Sequence, residues 1–325
     1  MFVLGIESTA HTFGAGIVDD QGRILADARD MFKPPAGWGI KPQDAAAHHR
    51  EAGGRLVQQA MEDARLRAAD LDAIAFSQGA GLPPCLRVGL EAGRSLAAQA
   101  GKPLIPVCHQ VAHLEIARLQ TRLQDPVILY VSGGNTQVIS HLAGRYRVFG
   151  ETQDVGVGNA LDKFGRAAAL AFPAGPEIER LASRGSYSEL PYVVKGMDLS
   201  FSGILTAALQ KLRHGAPLAD LCCSLQETFF AMLTEVTERA LAHVGKEEVI
   251  LTGGVAANQR LCQMLDTMCR ERGARFLPCP LRYCGDNGAM IAWNGMQQLQ
   301  AGNLPAPSLE IRPRLRTDDV DVAWL

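Results

Sequence analysis

One order of segments occurs twice in the sequence, and this repetition restricts the fold more than any single motif does. Residues 2–32 form three short alternating segments joined by turns, and residues 126–153 repeat that pattern. Each set of three is followed later in the chain by an apolar segment, a glycine turn and a helical pattern. These lie at 71–101 after the first set and at 247–273 after the second. Alternation of period two predicts strands, and strands followed by helices predict parallel pairing. We therefore expect an α/β fold of two duplicated domains with an interdomain cleft.

The second half of the chain also contains a long segment with helical spacing. We place the domain boundary at residue 125, which gives an N-terminal α/β domain at 1–125 and a C-terminal α/β domain at 126–325. Within the second domain, apolar residues at helical spacing fill the segment from about 156 to 245. This pattern predicts a helical insertion that lines the cleft.

Composition limits the classes of partner. The chain has 325 residues, of which 47% are hydrophobic, so it can bury a large core. Its 32 basic and 34 acidic residues give a net charge of -2, so no global field attracts it to nucleic acid or to a membrane. The first residues enter a strand pattern directly, and no apolar run reaches the length of a membrane-spanning helix. We expect a cytoplasmic protein.

The eight cysteines do not form a recognisable metal or disulfide pattern. They are scattered along the chain and include no C-x-x-C pair. Neither a zinc ribbon nor a disulfide framework is therefore indicated, and most of the thiols should be reduced and buried.

Two histidines, His109 and His113, lie four residues apart in the helical pattern HQVAHLEIAR. At this spacing both imidazoles can project from one face of a helix and share a cation. Paired histidines of this kind are more often an ordinary helix face than a metal site. Asp286 and Tyr130 are candidates for further ligands, although an N-cap and a core aromatic are the simpler interpretations of these two residues.

A zinc peptidase of the H-E-x-x-H type is poorly supported. Gln110 follows the first histidine, and an amide cannot act as the general base that this chemistry needs. Glu115 comes two residues after the second histidine and should point from another side of the helix.

Four glycine-containing turns can bring backbone N–H groups close to a ligand, and three of them precede a predicted helix. They lie at residues 132–136, 156–162, 173–179 and 252–258. Neither a Walker A sequence nor G-x-G-x-x-G is present. Together the four turns favour a nucleotide-binding cleft over a set of unrelated loops.

Ten segments resemble, in order and over nearly the full length, the tRNA N6-adenosine threonylcarbamoyltransferase family. They are LGIESTAHTFGAGIV, GIKPQDAAAHH, HQVAHLEIAR, YVSGGNTQVI, GNALDKFGRAA, GPEIERLA, VVKGMDLSFSGILTAA, SLQETFFAML, GGVAANQRL and GDNGAMIAW. Because HQVAHLEIAR lacks the bacterial H-x-E-G-H pattern, the chain resembles the archaeal and eukaryotic branch, the catalytic subunit of the KEOPS complex. The resemblance implies a fold like those of actin, Hsp70 and sugar kinases.

The resemblance also implies a reaction and a set of site residues. The threonylcarbamoyl group of threonylcarbamoyl-AMP would pass to N6 of the adenosine beside the anticodon in tRNAs that read ANN codons. The implied metal is Fe²⁺, with Zn²⁺ as a substitute, and its implied ligands are His109, His113 and Asp286, with Tyr130 near or on the metal. The implied contacts to the nucleotide, which is threonylcarbamoyl-AMP, ATP or AMP, are Tyr130, Val131, Ser132, Gly133, Gly134, Asp162, Gly175, Glu179 and Asn258.

Substrate positioning by Glu7 and His11, and by the pair His48 and His49, is a further implication of the family pattern. Turn and surface polar residues are the alternative interpretation, and no residue stands out as the general base. The sequence departs from the family pattern at Ala174, where many relatives have glycine, and at Cys284, where a small residue is common. Neither departure removes an implied ligand, although Cys284 could offer a thiolate near Asp286.

The partners implied by the resemblance are tRNA, a small kinase-like ATPase subunit and a dimerising subunit of KEOPS, with a separate synthase making the adenylate. The candidate basic positions for tRNA are Lys163, Arg166, Lys195, Lys211, Arg213 and the segment 311–319. Two other functions remain open: an actin-like ATPase or small-molecule kinase, and a noncatalytic DNA-binding protein. The first would leave the two histidines without a task, and the second would require a stronger basic face.

Overall fold

The computed structural model describes residues 1–34, 39–302 and 309–325. Its strands are β1 (Phe2–Glu7), β2 (Thr12–Asp19), β3 (Ile24–Met31), β4 (Ala73–Gly79), β5 (Leu104–Cys108), β6 (Val127–Val131), β7 (Thr136–Leu142), β8 (Arg145–Glu151), β9 (Val194–Lys195), β10 (Asp198–Leu199), β11 (Glu248–Thr252) and β12 (Arg275–Pro278). Its α-helices are α1 (Pro42–Ala64), α2 (Pro83–Ala100), α3 (His109–Thr121), α4 (Val157–Ala167), α5 (Gly175–Ala182), α6 (Ser202–Arg213), α7 (Leu218–Val244), α8 (Gln259–Glu271), α9 (Leu281–Cys284) and α10 (Gly288–Gln300).

Two compact units divide the chain. The first unit contains residues 1–119, 143–146 and 285–325, and the second contains residues 120–142 and 147–284. The predicted division assigned everything after residue 125 to the second domain. In the structure the C-terminal segment belongs to the first unit because α10 packs on β1 and β2.

The sheet of the first unit has the strand order β3-β2-β1-β4-β5. β1 pairs antiparallel with β2, whereas β1 with β4 and β4 with β5 are parallel. Glycines in the sheet allow the backbone of α10 to approach it closely. A Cβ at Gly5 would lie 2.1 Å from the amide nitrogen of Ala292, and one at Gly16 would lie 2.3 Å from that of Ala289. This close packing positions the start of α10 beside the sheet.

The sheet of the second unit has the order β12-β11-β6-β7-β8, which is the order of the first sheet. β6 pairs antiparallel with β7, and β11 is parallel to both β6 and β12. Helices α4 to α7 and the short β9-β10 ladder occupy the sequence between β8 and β11. The duplicated α/β plan predicted from the repeat is confirmed.

All eight cysteines are free thiols, and six of them are buried. Among the described residues, no helix is both long enough and apolar enough to cross a membrane.

Candidate metal centre

His109, His113 and Asp286 bring three donor atoms together in the first unit. α3 begins at His109, directly after β5, so one helical turn places both imidazoles on the same face. Asp286 precedes Asn287, whose side chain accepts the amide hydrogen of Met290 and so caps α10. One ligand atom from each of the three residues lies within 4.8 Å of the others. The two imidazole rings lie side by side, as the histidine spacing predicts, and the carboxylate of Asp286 faces both of them.

The distances show how the aspartate lies between the two rings. Oδ1 of Asp286 is 3.2 Å from Nε2 of His113 and 3.6 Å from Nε2 of His109. The His113 side chain is 2% exposed and that of His109 is 9%, whereas 17% of the Asp286 side chain is exposed. The cluster is therefore nearly buried, with its accessible part on the carboxylate.

Glu7 contacts the other nitrogen of His109. Its Oε2 lies 3.0 Å from Nδ1 of His109, and its Oε1 accepts the amide hydrogen of Thr9 at 2.7 Å. Because an ionised carboxylate only accepts hydrogen bonds, Nδ1 must carry the proton in this pair. When the ring exchanges its second proton for a metal ion, Nε2 is therefore the nitrogen that offers a lone pair, on the side of Asp286. A metal-ligating histidine commonly donates the N–H of its other ring nitrogen to a carboxylate, which fixes the orientation of the imidazole.

The charges of the cluster favour a cation. Burial lowers the pKa of His109, but the charges of Glu7 and Asp286 outweigh burial and raise this pKa to about 9. Burial lowers the pKa of His113. Burial of Asp286 acts to raise its pKa, but the hydrogen bond from His113 and the charge of His109 hold it well below its usual range. Two carboxylates thus stabilise positive charge at His109, and a bound metal ion would supply that charge instead of a proton.

The donor set fits a catalytic divalent ion. Two imidazole nitrogens and one carboxylate oxygen are the donors that suit Fe²⁺ and Zn²⁺. Three protein ligands leave further coordination positions for substrate or water, as catalytic sites require. The residues present therefore fit the implied metal.

The other histidines implied by the family pattern have different environments. His49 is fully buried, with its ring centroid 5.6 Å from that of Phe13 in an edge-to-face arrangement. His48 lies 3.5 Å from Asp30 and is half-buried. His11 is half-buried in the turn between β1 and β2. Of these residues, His49 belongs to the core of the first unit, a position that the sequence did not indicate.

The implied nucleotide contacts all lie in the second unit. Tyr130 is buried in β6, and it precedes a turn in which Ser132 Oγ accepts the amide hydrogen of Asn135. The start of α4 packs on this turn, since a Cβ at Gly156 would lie 2.4 Å from the carbonyl oxygen of Gly133. The absence of a side chain at Gly156 thus allows the start of α4 to lie directly against the backbone of Gly133.

A second group of these contacts surrounds the start of α8. Asn258 caps α8 by accepting the amide hydrogens of Arg260 and Leu261, and its amide donates to Gln226. Glu179 accepts the amide hydrogen of Gln259 at 2.8 Å. Glu179 and Asn258 are far apart in sequence, but both lie at the start of α8 in the structure.

Glu115 is a buried acceptor that sequence reasoning did not identify. It accepts hydrogen bonds from Tyr146 at 2.6 Å, Gln297 at 2.8 Å, Trp324 at 3.0 Å and Arg118 at 3.2 Å. These bonds tie α3 to α10 and to the C-terminal residues. Because Glu115 is engaged there, it provides no base for peptidase chemistry, in agreement with the sequence. Its position after His113 in a helix was the only available signal.

Cys284 also has its own partner. Its thiol donates to the carbonyl oxygen of Cys279 at 3.2 Å, and both residues are buried in the second unit. Among the described residues, the group able to hold a metal contains only the two histidines and Asp286.

The fold and the site define a class: a duplicated α/β protein of the actin-like kind that carries a His-His-Asp cluster suited to a metal ion. HypF from T. kodakarensis has this fold, with a TM-score of 0.63 and 14% identity over 93% of this chain and 48% of that one. Component A of (R)-2-hydroxyglutaryl-CoA dehydratase from Acidaminococcus fermentans also has it, with a TM-score of 0.56 and 14% identity over 92% of this chain and 99% of that one. These likenesses confirm the fold class.

Sequence comparison identifies the family. Residues 23–293 match the family described as "TsaD: tRNA N6-adenosine threonylcarbamoyltransferase". The tRNA N6-adenosine threonylcarbamoyltransferase of Thermococcus sibiricus is 51% identical, with all of both chains covered, and that of Methanopyrus kandleri is 50% identical over all of this chain and 96% of its own. The chain belongs to the tRNA N6-adenosine threonylcarbamoyltransferase family. It is a transferase that modifies tRNA.

Some relatives are longer. The "Probable bifunctional tRNA threonylcarbamoyladenosine biosynthesis protein" of Methanobrevibacter smithii is 52% identical over all of this chain. The chain spans 60% of the length of that relative.

Proposed function

We propose that this chain transfers the threonylcarbamoyl group of threonylcarbamoyl-AMP to N6 of the adenosine next to the anticodon, in tRNAs that read ANN codons. AMP is the leaving group. One observation carries the proposal: His109, His113 and Asp286 converge in a chain that matches this family over its full length. An acyl transfer of this kind needs a positioned electrophile and stabilisation of the negative charge that develops on its carbonyl oxygen.

The metal in this proposal is Fe²⁺, with Zn²⁺ as a substitute, held by His109, His113 and Asp286, with Tyr130 near or on it. When bound, the ion supplies Lewis acidity that polarises the carbamoyl carbonyl and stabilises the phosphate charge. Glu7 holds the proton on Nδ1 of His109 and so directs Nε2 to the ligand position. His11 is a candidate for positioning the substrate.

The nucleotide in this proposal binds to residues of the second unit. The amides of Gly133 and Gly134 hold the phosphate, because a turn without bulky side chains presents its N–H groups. The amide of Ser132 donates to the carbonyl oxygen of Asn135 at 2.8 Å, so Ser132 contacts the nucleotide through its hydroxyl. Asp162 and Glu179 accept hydrogen bonds from ribose hydroxyls or adenine edges. The remaining contacts are Tyr130, Val131, Gly175 and Asn258. The exocyclic amine of adenosine is a weak nucleophile, so orientation of the two substrates supplies much of the rate.

The partners in this proposal are tRNA and the KEOPS subunits, namely a small kinase-like ATPase and a dimerising subunit. A separate synthase supplies threonylcarbamoyl-AMP. The word "bifunctional" in the names of several relatives describes a second activity in the same polypeptide, which supports a close functional partner. The compartment that we assign is the cytoplasm, because the substrate is tRNA.

The test is reconstitution. The chain, its KEOPS partners and an adenylate synthase are incubated with threonine, bicarbonate, ATP and unmodified tRNA, and the tRNA nucleosides are analysed by mass spectrometry. The proposal requires threonylcarbamoyladenosine at the position next to the anticodon. Its absence with active partners, together with nucleotide hydrolysis that does not depend on tRNA, would favour the ATPase or kinase interpretation.

A further inference from the structure

Phe172 is the most exposed of the large hydrophobic residues that the structure describes. Its side chain is 77% accessible to solvent, and it lies in the short turn between α4 and α5. Single exposed apolar residues are common on protein surfaces and by themselves indicate nothing. The turn that holds Phe172 and the basic residues of the neighbouring helix give this ring its significance.

The turn that presents Phe172 is fixed against α4. The amide of Ala174 donates to Oδ1 of Asp162 at 2.8 Å, and Ala174 itself is buried. A Cβ at Gly165 would lie 2.2 Å from Cβ of Ala174, so the turn and the helix are in close contact. Phe172 precedes Ala174 by two residues, a chain length of about 7 Å at most. The ring is therefore held close to α4 and open to solvent.

Two basic residues of α4 directly follow the residues of that helix that contact Ala174. Lys163 follows Asp162, and Arg166 follows Gly165. Lys163 and Arg166 are separated by three residues, so they share a face of the helix, and both are exposed. Neither forms an ion pair with any residue that the structure describes. Burial raises the pKa of Asp162, the acid of this helix, while the hydrogen bond from the amide of Ala174 and the nearby charge of Arg166 act against this. Arg166 and Asp162 nevertheless form no ion pair among the contacts that the structure describes. By contrast, Arg180 on the following helix is paired with Glu177.

We propose that Lys163, Arg166 and Phe172 form an aromatic-basic patch that binds the single-stranded loop of the tRNA substrate. An unpaired base stacks on the ring of Phe172, and the two cations contact neighbouring phosphates. The inference rests on the proposed function, which makes tRNA the substrate, and it assigns a contact surface for it. With a net charge of -2, the chain needs local basic surface for such a partner.

The ring selects the kind of RNA. A duplex can satisfy Lys163 and Arg166 through its phosphates, but its bases are stacked on one another and unavailable to Phe172. A loop offers both unstacked bases and phosphates. The patch is therefore expected to prefer a loop to a duplex of the same length.

The experiment measures binding of the full-length chain to an anticodon stem-loop, to a blunt RNA duplex of equal length and to AMP. Phe172→Ala should weaken binding of the stem-loop roughly 5- to 150-fold, the range that loss of one stacked base gives. Phe172→Trp should retain binding, because a larger ring still stacks. The double variant Lys163→Gln, Arg166→Gln should reduce the slope of log K against log salt by about 1.4 for two lost phosphate contacts.

Tyr192→Ala is the matched control, because Tyr192 is also an exposed aromatic but its hydroxyl donates to the carboxylate of Glu235. This variant should bind the stem-loop like the wild type. Wild-type affinity of Phe172→Ala for the stem-loop would overturn the inference, whether or not the affinity of this variant for AMP is lower. The reconstituted reaction measures product formation by the wild-type chain and tests the proposed function. The stem-loop binding measurement tests the aromatic-basic patch, so the two ideas can fail independently.

Discussion

The carboxylate of Glu7 lies 3.0 Å from Nδ1 of His109, while Nε2 of the same ring faces Asp286 at 3.6 Å. One imidazole is therefore held between two carboxylates, and the proton on the side of Glu7 is the one that remains when a metal ion replaces the other. This arrangement fixes which nitrogen is available to a metal ion.

Replacing Glu7 should weaken metal binding without abolishing it. Loss of such an orienting partner typically lowers affinity about 10- to 100-fold. Glu7→Gln keeps an oxygen that can accept the Nδ1 proton but loses the negative charge, so its effect should be smaller than that of Glu7→Ala. Competition with a chelator of known affinity measures the difference. As a control, His214→Gln changes an exposed histidine outside the cluster and should leave affinity unchanged. Equal affinity in the wild type and Glu7→Ala would contradict this role.

Replacing Glu115 should destabilise the fold. The Glu115→Ala change leaves Tyr146, Gln297 and Trp324 without their common acceptor and Arg118 without its carboxylate. Removing one partner of a buried charged network costs about 3–5 kcal/mol in the free energy of unfolding. Urea denaturation measures the cost, with the exposed Glu271→Ala as control. Metal content of the folded protein should not change, and a cost below about 1 kcal/mol would refute the network.

His49 should make stability depend on pH. Burial, and then the charge of His48, lower the pKa of His49 from 6.5 to about 4; His11 also lowers it, whereas Glu7 raises it. The folded protein thus binds this proton more weakly than the unfolded chain does. The stability contributed by neutral His49 is complete above pH 6.5 and is lost as the pH falls toward 4.

The His49→Phe variant isolates this effect, because phenylalanine fills the site beside Phe13 and does not titrate. Urea midpoints between pH 8 and pH 5 should fall less in this variant than in the wild type. The exposed His214→Gln should follow the wild type. An identical decline in His49→Phe and wild type would show that another group is responsible.

Local pattern predicts the strands and helices of this chain well. Alternation marks β1 to β3 and β6 to β8, and the strand-turn-helix segments mark β4 with α2 and β11 with α8. Pairing between distant segments is less visible. The packing of α10 on β1 and β2 depends on the absence of side chains at Gly5 and Gly16, and nothing near Gly288 in the sequence reveals that contact.

Contacts between residues that are distant in sequence are equally hard to predict at the candidate site. Helical spacing alone places His109 and His113 together. Asp286 is only one of two candidates for a further ligand, since its local pattern is equally that of a residue before a helix, and the family resemblance then favours it. The contact of Glu7 with His109 spans 102 residues, and alternation in β1 shows only that Glu7 is at a strand end. The burial of His49 depends on the fit of α1 against β2, which no local pattern encodes.

Mass spectrometry of tRNA nucleosides from the reconstituted reaction tests the central claim most directly, with wild type beside the double variant His109→Ala, His113→Ala. The metal content of both proteins is measured in the same preparations. We expect threonylcarbamoyladenosine from the wild type. From the double variant we expect neither bound metal nor product, with the fold retained by circular dichroism. Equal amounts of product from both would contradict this expectation, since the two histidines would then be ordinary residues of α3.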